Sequence, residues 1–102
     1  MEMDKMSLQS LLESGKFVIT AEVAPLKGTD TTEIMEVAEL LQGRITAANV
    51  TDQQSSVMRL GSLAVSYLIQ EKGLETVFQM TCRDRNRIAL QSDLLSASVL
   101  GI

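Results

Sequence analysis

The sequence contains three strand-like runs that end at a nearly fixed interval. They are KFVITAEVA, ITAANVT and ETVFQMTC, and a helix-like run follows each of them. Glu22 and Thr51, near the ends of the first two runs, are 29 residues apart, and Thr51 and Thr81 are 30 residues apart. That interval is the length of one βα unit, so the chain is predicted to fold as βαβαβα around a parallel sheet.

Capping residues and glycines set the predicted bounds of the helices. The first helix of the repeat should begin near Asp30, with Glu33 three residues later as in a capping box, and should end at Gly43. A short helix over 6–14, closed by Gly15, should precede the first strand. The apolar stripes expected on the three later helices are Ile34, Val37, Ala38 and Leu41; Leu60, Leu63, Ala64, Tyr67 and Leu68; and Leu90, Leu94, Leu95 and Val99.

Three parallel strands are few for an α/β protein, because they leave two sheet edges unpaired. A closed barrel of βα units needs about 250 residues, and a complete doubly wound sheet usually has about five strands. The chain has 102 residues. Residues 1–102 are therefore expected to be the first part of a larger α/β domain.

Composition argues against several classes of function. A net charge of −4 and only 3% aromatic residues disfavour nucleic acid as a partner. No apolar run approaches the roughly 20 residues of a membrane span, and the start MEMDKMSLQS does not resemble a signal peptide. We therefore expect a cytoplasmic protein without a membrane partner. Histidine is absent and Cys82 is the single cysteine, so no metal site is expected, and Cys82 is expected to be a small buried hydrophobe.

Each predicted strand has one apolar face and one face that becomes polar towards its carboxyl end. Side chains alternate along a strand, so the apolar face suits packing under helices. Ligands of α/β proteins bind beyond the carboxyl ends of the strands. The polar positions near that end, which are predicted to line one pocket, are Glu22, Asn49, Thr51, Gln79 and Thr81.

Glu22 is the most informative of these positions, since it lies among apolar residues in FVITAEVAP. We expect it to be at least partly buried there, and a buried carboxylate without a partner costs several kcal/mol. A purely structural use of this residue would therefore be expensive, which favours a role as a general acid. The alternative is a buried hydrogen-bond network that fixes the register of the strands.

Three longer segments resemble the N-terminal part of the methylenetetrahydrofolate reductases. They are TAEVAPLKGTDTTE, ANVTDQQSSVMRL and MTCRDRNRIALQSDLLSASVLGI, and the resemblance covers the chain from Phe17 onward. It implies that the βαβαβα segment is the N-terminal part of a (β/α)8 TIM barrel that carries FAD at the carboxyl ends of its strands. It also implies that NAD(P)H reduces the flavin, which then reduces 5,10-methylenetetrahydrofolate to 5-methyltetrahydrofolate.

The resemblance also implies roles for individual residues. Before the folate can accept hydride, its five-membered ring must open to an iminium ion, and Glu22 matches the glutamate that protonates the departing nitrogen. Thr51 matches a threonine near the flavin and nicotinamide, Asp52 and Gln54 match loop residues that touch the flavin, and Gln79 replaces a histidine that contacts it in many members.

The resemblance covers only the first three βα units of such a barrel. We therefore expect the chain to be inactive by itself, and to need either the C-terminal remainder of the barrel or pairing into a homo-oligomer. A non-catalytic alternative is an α/β interaction module that pairs through its exposed sheet edges.

Overall fold

The computed structural model describes residues 7–102, which form four α-helices and three β-strands. In chain order they are α1 (Leu8–Glu13), β1 (Thr20–Val23), α2 (Thr32–Leu41), β2 (Ala47–Val50), α3 (Ser62–Glu71), β3 (Glu75–Phe78) and α4 (Arg87–Val99), with a short 3-10 segment over Gln54–Ser56 before α3. The helix α1 lies within the predicted range 6–14, and position 6 of that range lies outside the described residues.

The three strands form a parallel sheet in the order β1-β2-β3, which confirms the predicted α/β class and the parallel pairing. Glu22 lies opposite Asn49, and Asn49 lies opposite Val77. Each strand spans four residues and is shorter than the run that predicted it. The three strands form an open sheet, and the eight-stranded barrel stays a prediction.

In residues 7–102, three of the four helices begin near a side chain that accepts a backbone N–H, and a glycine follows each helix. Asp30 Oδ1 accepts the N–H of Thr32, the first residue of α2, at 3.0 Å. Asp30, near which this helix was expected to begin, therefore caps α2 from two positions before its start. That hydrogen bond lowers the pKa of the Asp30 carboxyl group. Gly43 and Gly73 follow α2 and α3 with φ of 84° and 97°, a conformation that glycine adopts without strain.

The hydrophobic core lies between one face of the sheet and the helices α2 and α3. Full burial of one Val, Ile or Leu side chain contributes about 1.5–3 kcal/mol to stability. The buried residues of this cluster are Val23, Ala48 and Val50 from the strands, Ile34 and Ala38 from α2, Val65 and Ile69 from α3, and Leu74.

The predicted apolar stripe of α3 was wrong. The residues buried on this helix are Ser62, Val65, Ser66 and Ile69, whereas Ala64 is exposed. The helix packs on β2 and β3 and buries two serines beside Val65 and Ile69. Ser62 Oγ donates to the Gln79 carbonyl at 2.7 Å. The remaining members of the predicted stripe are half-buried at its sides.

The apolar stripe of α4 is largely exposed to solvent. Ala97 is the one buried residue of this helix, while Leu95 is 71% exposed and Val99 is 86% exposed. Cys82 is also exposed, contrary to expectation, because β3 ends at Phe78 and the alternation of faces does not continue to position 82. Within residues 7–102, no helix is both long and apolar enough to cross a membrane.

Candidate functional site

The carboxyl ends of the three strands meet at one edge of the sheet. Backbone hydrogen bonds continue one residue past the strands, from the Thr51 N–H to the Val23 carbonyl and from the Gln79 N–H to the Val50 carbonyl, each at 3.2 Å. The loops that follow the strands therefore start side by side. This is the edge at which the sequence predicted a pocket.

A short chain of hydrogen bonds joins three of the predicted site residues at this edge. Gln54 Nε2 donates to Glu22 Oε2 at 3.5 Å, and the Thr51 hydroxyl donates to Gln54 Oε1 at 3.3 Å. The amide of Gln54 thus bridges the second strand to the carboxylate on the first. The sequence had placed these residues at one edge, but it gave no indication that Gln54 touches Glu22.

The expected burial of Glu22 was wrong, because its side chain is exposed. Thr20 and Gln79, which lie on the same face of the sheet, are exposed as well. The core lies on the opposite face, so the Glu22 carboxylate remains in contact with water in this chain. A hollow of about 260 Å³ opens beside it, lined in part by Glu33 and Val37 of α2.

Asp52 takes part in a buried ion pair. Its side chain is 1% exposed, and its Oδ2 accepts from Arg85 Nη2 and from the Thr81 N–H, each at 2.8 Å. Arg85 also pairs with Asp93 on α4. Burial by itself would lower the pKa of the Arg85 guanidinium, but the hydrogen bonds and charges of Asp52 and Asp93 outweigh burial, so the pKa is raised.

The ion pair ties the loop after β2 to the loop after β3 and to α4. It leaves one atom of Asp52 unused, because Oδ1 is buried without a hydrogen-bond partner. Gln79, by contrast, is exposed at the end of β3, where its backbone N–H donates to the Val50 carbonyl and its backbone carbonyl accepts from Ser62. Asp52 is therefore turned towards Arg85 and Thr81, and Gln79 is turned towards solvent.

The turn that carries Gln54 is strained. Gln53, Ser55 and Ser56 have φ of 48°, 64° and 58°, in the left-handed region that non-glycine residues rarely occupy. Each such residue costs about 1–2 kcal/mol. Tertiary contacts must hold the turn in this conformation, which places it among the strained segments that are typical of functional sites.

Two arginines outside the predicted set bind this turn. Arg59 donates from Nε to the Gln54 carbonyl at 3.3 Å and from Nη1 to the Pro25 carbonyl at 3.2 Å. Arg83 Nη2 donates to the Gln53 carbonyl at 3.1 Å. Sequence reasoning missed Arg59, because nothing in the polar run QQSS indicates which side chain will satisfy its carbonyl groups.

No metal centre is found in the described part of the chain. In residues 7–102, no group of three or more His, Cys, Asp and Glu side chains is placed to hold a metal ion. The arrangement consists instead of one exposed carboxylate, a hydroxyl and several amides. These are groups that donate a proton or bind a neutral polar ring by hydrogen bonds.

Fold and site together define an α/β protein of repeated βα units with polar groups at the carboxyl edge of a parallel sheet, where such proteins bind ligands. The family model of methylenetetrahydrofolate reductase matches residues 7–102. Neither the curated proteins nor the solved structures yield a significant match. The chain belongs to the methylenetetrahydrofolate reductase family, a family of oxidoreductases, and the resemblance seen in the sequence is confirmed.

Proposed function

We propose that this chain supplies the proton donor and one side of the cofactor site for the flavin-dependent reduction of 5,10-methylenetetrahydrofolate to 5-methyltetrahydrofolate. NAD(P)H is the proposed source of electrons. The observation that carries the proposal is the position of Glu22. It lies at the carboxyl edge of the sheet and contacts Gln54, which contacts Thr51.

Glu22 is suited to protonate the folate. Opening the five-membered ring requires a proton at the departing nitrogen, and a carboxyl group within hydrogen-bond reach of that atom can deliver it. The bond from Gln54 engages Oε2, so the proposed proton transfer uses the other oxygen, Oε1. The ring then opens to the iminium ion that accepts hydride.

The residues present fit a flavin, whose ring system carries carbonyl and N–H groups. When bound, FAD would supply the hydride. The Thr51 hydroxyl and the amides of Gln54 and Gln79 lie at one edge and offer both donors and acceptors. Asp52 fits less directly, since Oδ2 is held by Arg85 and Thr81 and only Oδ1 remains to accept a hydrogen bond.

We expect the chain by itself not to catalyse the reaction. A general acid works best when its pKa lies near the working pH, which enzymes usually achieve by burying the carboxyl group. The Glu22 side chain is exposed here, and so is Gln79 on the same face. Additional chain, from the same protein or from a partner copy, would have to cover this face before the acid is desolvated.

A variant of Glu22 tests the proposal. In a complete barrel that contains this segment, Glu22→Gln should leave FAD bound and reducible by NAD(P)H but should abolish reduction of the folate. Glu33→Gln is the matched control, because Glu33 is exposed nearby on α2 and lines the same hollow. Folate reduction that survives Glu22→Gln would refute the role of Glu22 as the acid.

A fluorescence titration of FAD with the 102-residue chain tests the cofactor site separately. We expect weak binding or none, since one side of the site is open. Saturable binding that is weakened by Thr51→Val would show that the carboxyl edge alone holds the flavin. Saturable binding that Thr51→Val leaves unchanged would place the flavin elsewhere.

The exposed apolar surface favours a second candidate, an interaction module. In the described residues, β1 and β3 each pair with β2 alone, and α4 exposes Leu95 and Val99. Unpaired strand edges can bind another chain. Sedimentation of the chain would reveal such pairing, and Glu22→Gln should not change it.

A further inference from the structure

We propose that Arg59 is a positioning residue for the acid: its guanidinium group holds the turn 53–56 in the strained conformation that brings Gln54 to Glu22. This inference rests on the proposed function of Glu22. Arg59 is partly buried and lies before α3, and its hydrogen bonds within residues 7–102 go to Gln53, Gln54 and Pro25 rather than to Glu22 or Thr51.

The guanidinium group joins two loops. Its Nε and Nη1 atoms donate to carbonyls on different segments, Gln54 after β2 and Pro25 after β1. The neighbouring N–H of Leu60 also donates to the Leu26 carbonyl, at 2.9 Å. Arg59 thus fixes the turn that bears Gln54 relative to the strand that bears Glu22.

The backbone of Arg59 closes the turn from its other end. The Arg59 N–H donates to Gln53 Oε1 at 2.8 Å, and Gln53 Nε2 donates to the Arg59 carbonyl at 3.1 Å. This pair of bonds spans six residues and encloses the three residues with positive φ. The side chain and the backbone of Arg59 therefore both restrain the strained turn, whose Gln53 carbonyl also accepts from Arg83.

The geometry explains why an arginine is needed. A guanidinium group presents several N–H donors in a planar, fixed array, whereas a lysine presents a single ammonium on a flexible stem. Two carbonyls on separate loops can be held at once by the first group but not reliably by the second. Arg59→Lys should therefore keep the charge and lose the restraint.

Amide hydrogen exchange in the full chain tests the proposal without FAD or folate. The turn has its own hydrogen bonds, from the Ser56 N–H to the Gln53 carbonyl at 3.1 Å and from the Val57 N–H to the Gln54 carbonyl at 3.4 Å. In Arg59→Ala and Arg59→Lys these two amides should exchange at least tenfold faster. Exchange in β2 should not change.

Two further variants separate positioning from general stability. Arg44→Ala removes an exposed arginine that follows α2, and it should leave the turn amides as they are. Ser55→Gly relieves backbone strain, because glycine adopts positive φ readily. Placed in the Arg59→Ala background, it should restore protection of the turn and the nuclear Overhauser contact between the Gln54 side-chain amide and Glu22.

Unchanged exchange at the turn in Arg59→Ala would overturn the proposal. Faster exchange throughout the sheet in both Arg59→Ala and Arg59→Lys would overturn it too, because Arg59 would then serve the fold rather than the turn. Failure of the proposed function would instead appear as folate reduction that survives Glu22→Gln. The two failures are therefore distinguishable.

Discussion

The ion pair between Asp52 and Arg85 leads to a quantitative prediction about stability. Arg85→Met would leave the Asp52 carboxylate, which is 1% exposed, without its cationic partner. Breaking a buried pair by removing one member costs about 3–5 kcal/mol. Arg85 is itself 17% exposed and the Thr81 N–H still donates to Asp52, so we expect a loss of about 2–3 kcal/mol, somewhat below that range.

The double variant Asp52→Asn/Arg85→Met provides the critical comparison. It removes the stranded charge, and an asparagine oxygen can still accept the Thr81 N–H, so the loss should be only about 1–2 kcal/mol. Asp93→Asn serves as the control, because that carboxylate is 28% exposed and should contribute less than about 1 kcal/mol.

Urea unfolding followed by far-ultraviolet circular dichroism measures these differences, since the chain has no tryptophan to report by fluorescence. The double variant should unfold at a higher urea concentration than Arg85→Met. If it unfolds at the same or a lower concentration, the Asp52 carboxylate is not stranded by loss of Arg85, and the account of this ion pair is wrong.

Three further predictions concern loop residues around the sheet, Gly28, Gly73 and Asp30. Gly28→Ala introduces a side chain at φ +103° with no heavy atom within 4 Å, so it should cost about 1–2 kcal/mol from backbone strain alone. Gly73→Ala also places a Cβ 2.8 Å from Gln42 Nε2, which donates to the Lys72 carbonyl at 2.7 Å. Displacing this amide should cost about 1 kcal/mol more; equal losses would show that Gln42 moves aside without loss of stability. The hydrogen bond from the Thr32 N–H lowers the pKa of Asp30 from 3.8, so its stabilisation is present above pH 3.8 and is lost as the pH falls through the lower folded-state value. Asp30→Ala should therefore lower the thermal midpoint more at pH 7 than at pH 2, and an equal deficit at both pH values would contradict this.

The spacing of the strand-like runs was enough to predict the parallel sheet. The interval between the strand ends and the alternation of side chains along each strand are local properties of the chain. They placed Glu22 on the same face as Asn49, the residue with which it pairs in the sheet. They did not predict the exposure of Glu22, because burial depends on what covers that face of the sheet. For the same reason, the apolar pattern of α4 did not predict that Leu95 and Val99 are exposed: their burial depends on what covers that face of the helix.

The buried side of α3 shows a different limit of sequence patterns. Periodicity marks leucines as the natural core residues, yet the four residues with no exposed area on this helix are Ser62, Val65, Ser66 and Ile69. A helix that packs on two strands can bury small side chains beside larger ones, and Ser62 gains a hydrogen bond to the Gln79 carbonyl. Whether a small polar or a large apolar side chain is buried at a given position depends on the distance between the helix and the sheet. That distance cannot be read from the sequence.

The candidate site was predictable in its location but not in its internal contacts. Strand ends place Glu22 and Thr51 at one edge, as the sequence indicated. The bridge through Gln54 requires three non-glycine residues with positive φ, and such conformations leave no trace in composition. The side chain that holds them, Arg59, also reaches a separate loop at Pro25, and that contact is visible only in three dimensions.

The three strands lie in the sheet in the same order as in the chain, and this has a consequence for how the sheet assembles. Thr20 pairs with Ala47, 27 positions later, and Ala47 pairs with Glu75, 28 positions later. The entropy lost on closing a loop grows only with the logarithm of its length, so the two closures cost nearly the same. Each strand pairs with the strand next to it in the chain, so this sheet forms from contacts between successive βα units and needs no strand from more distant sequence.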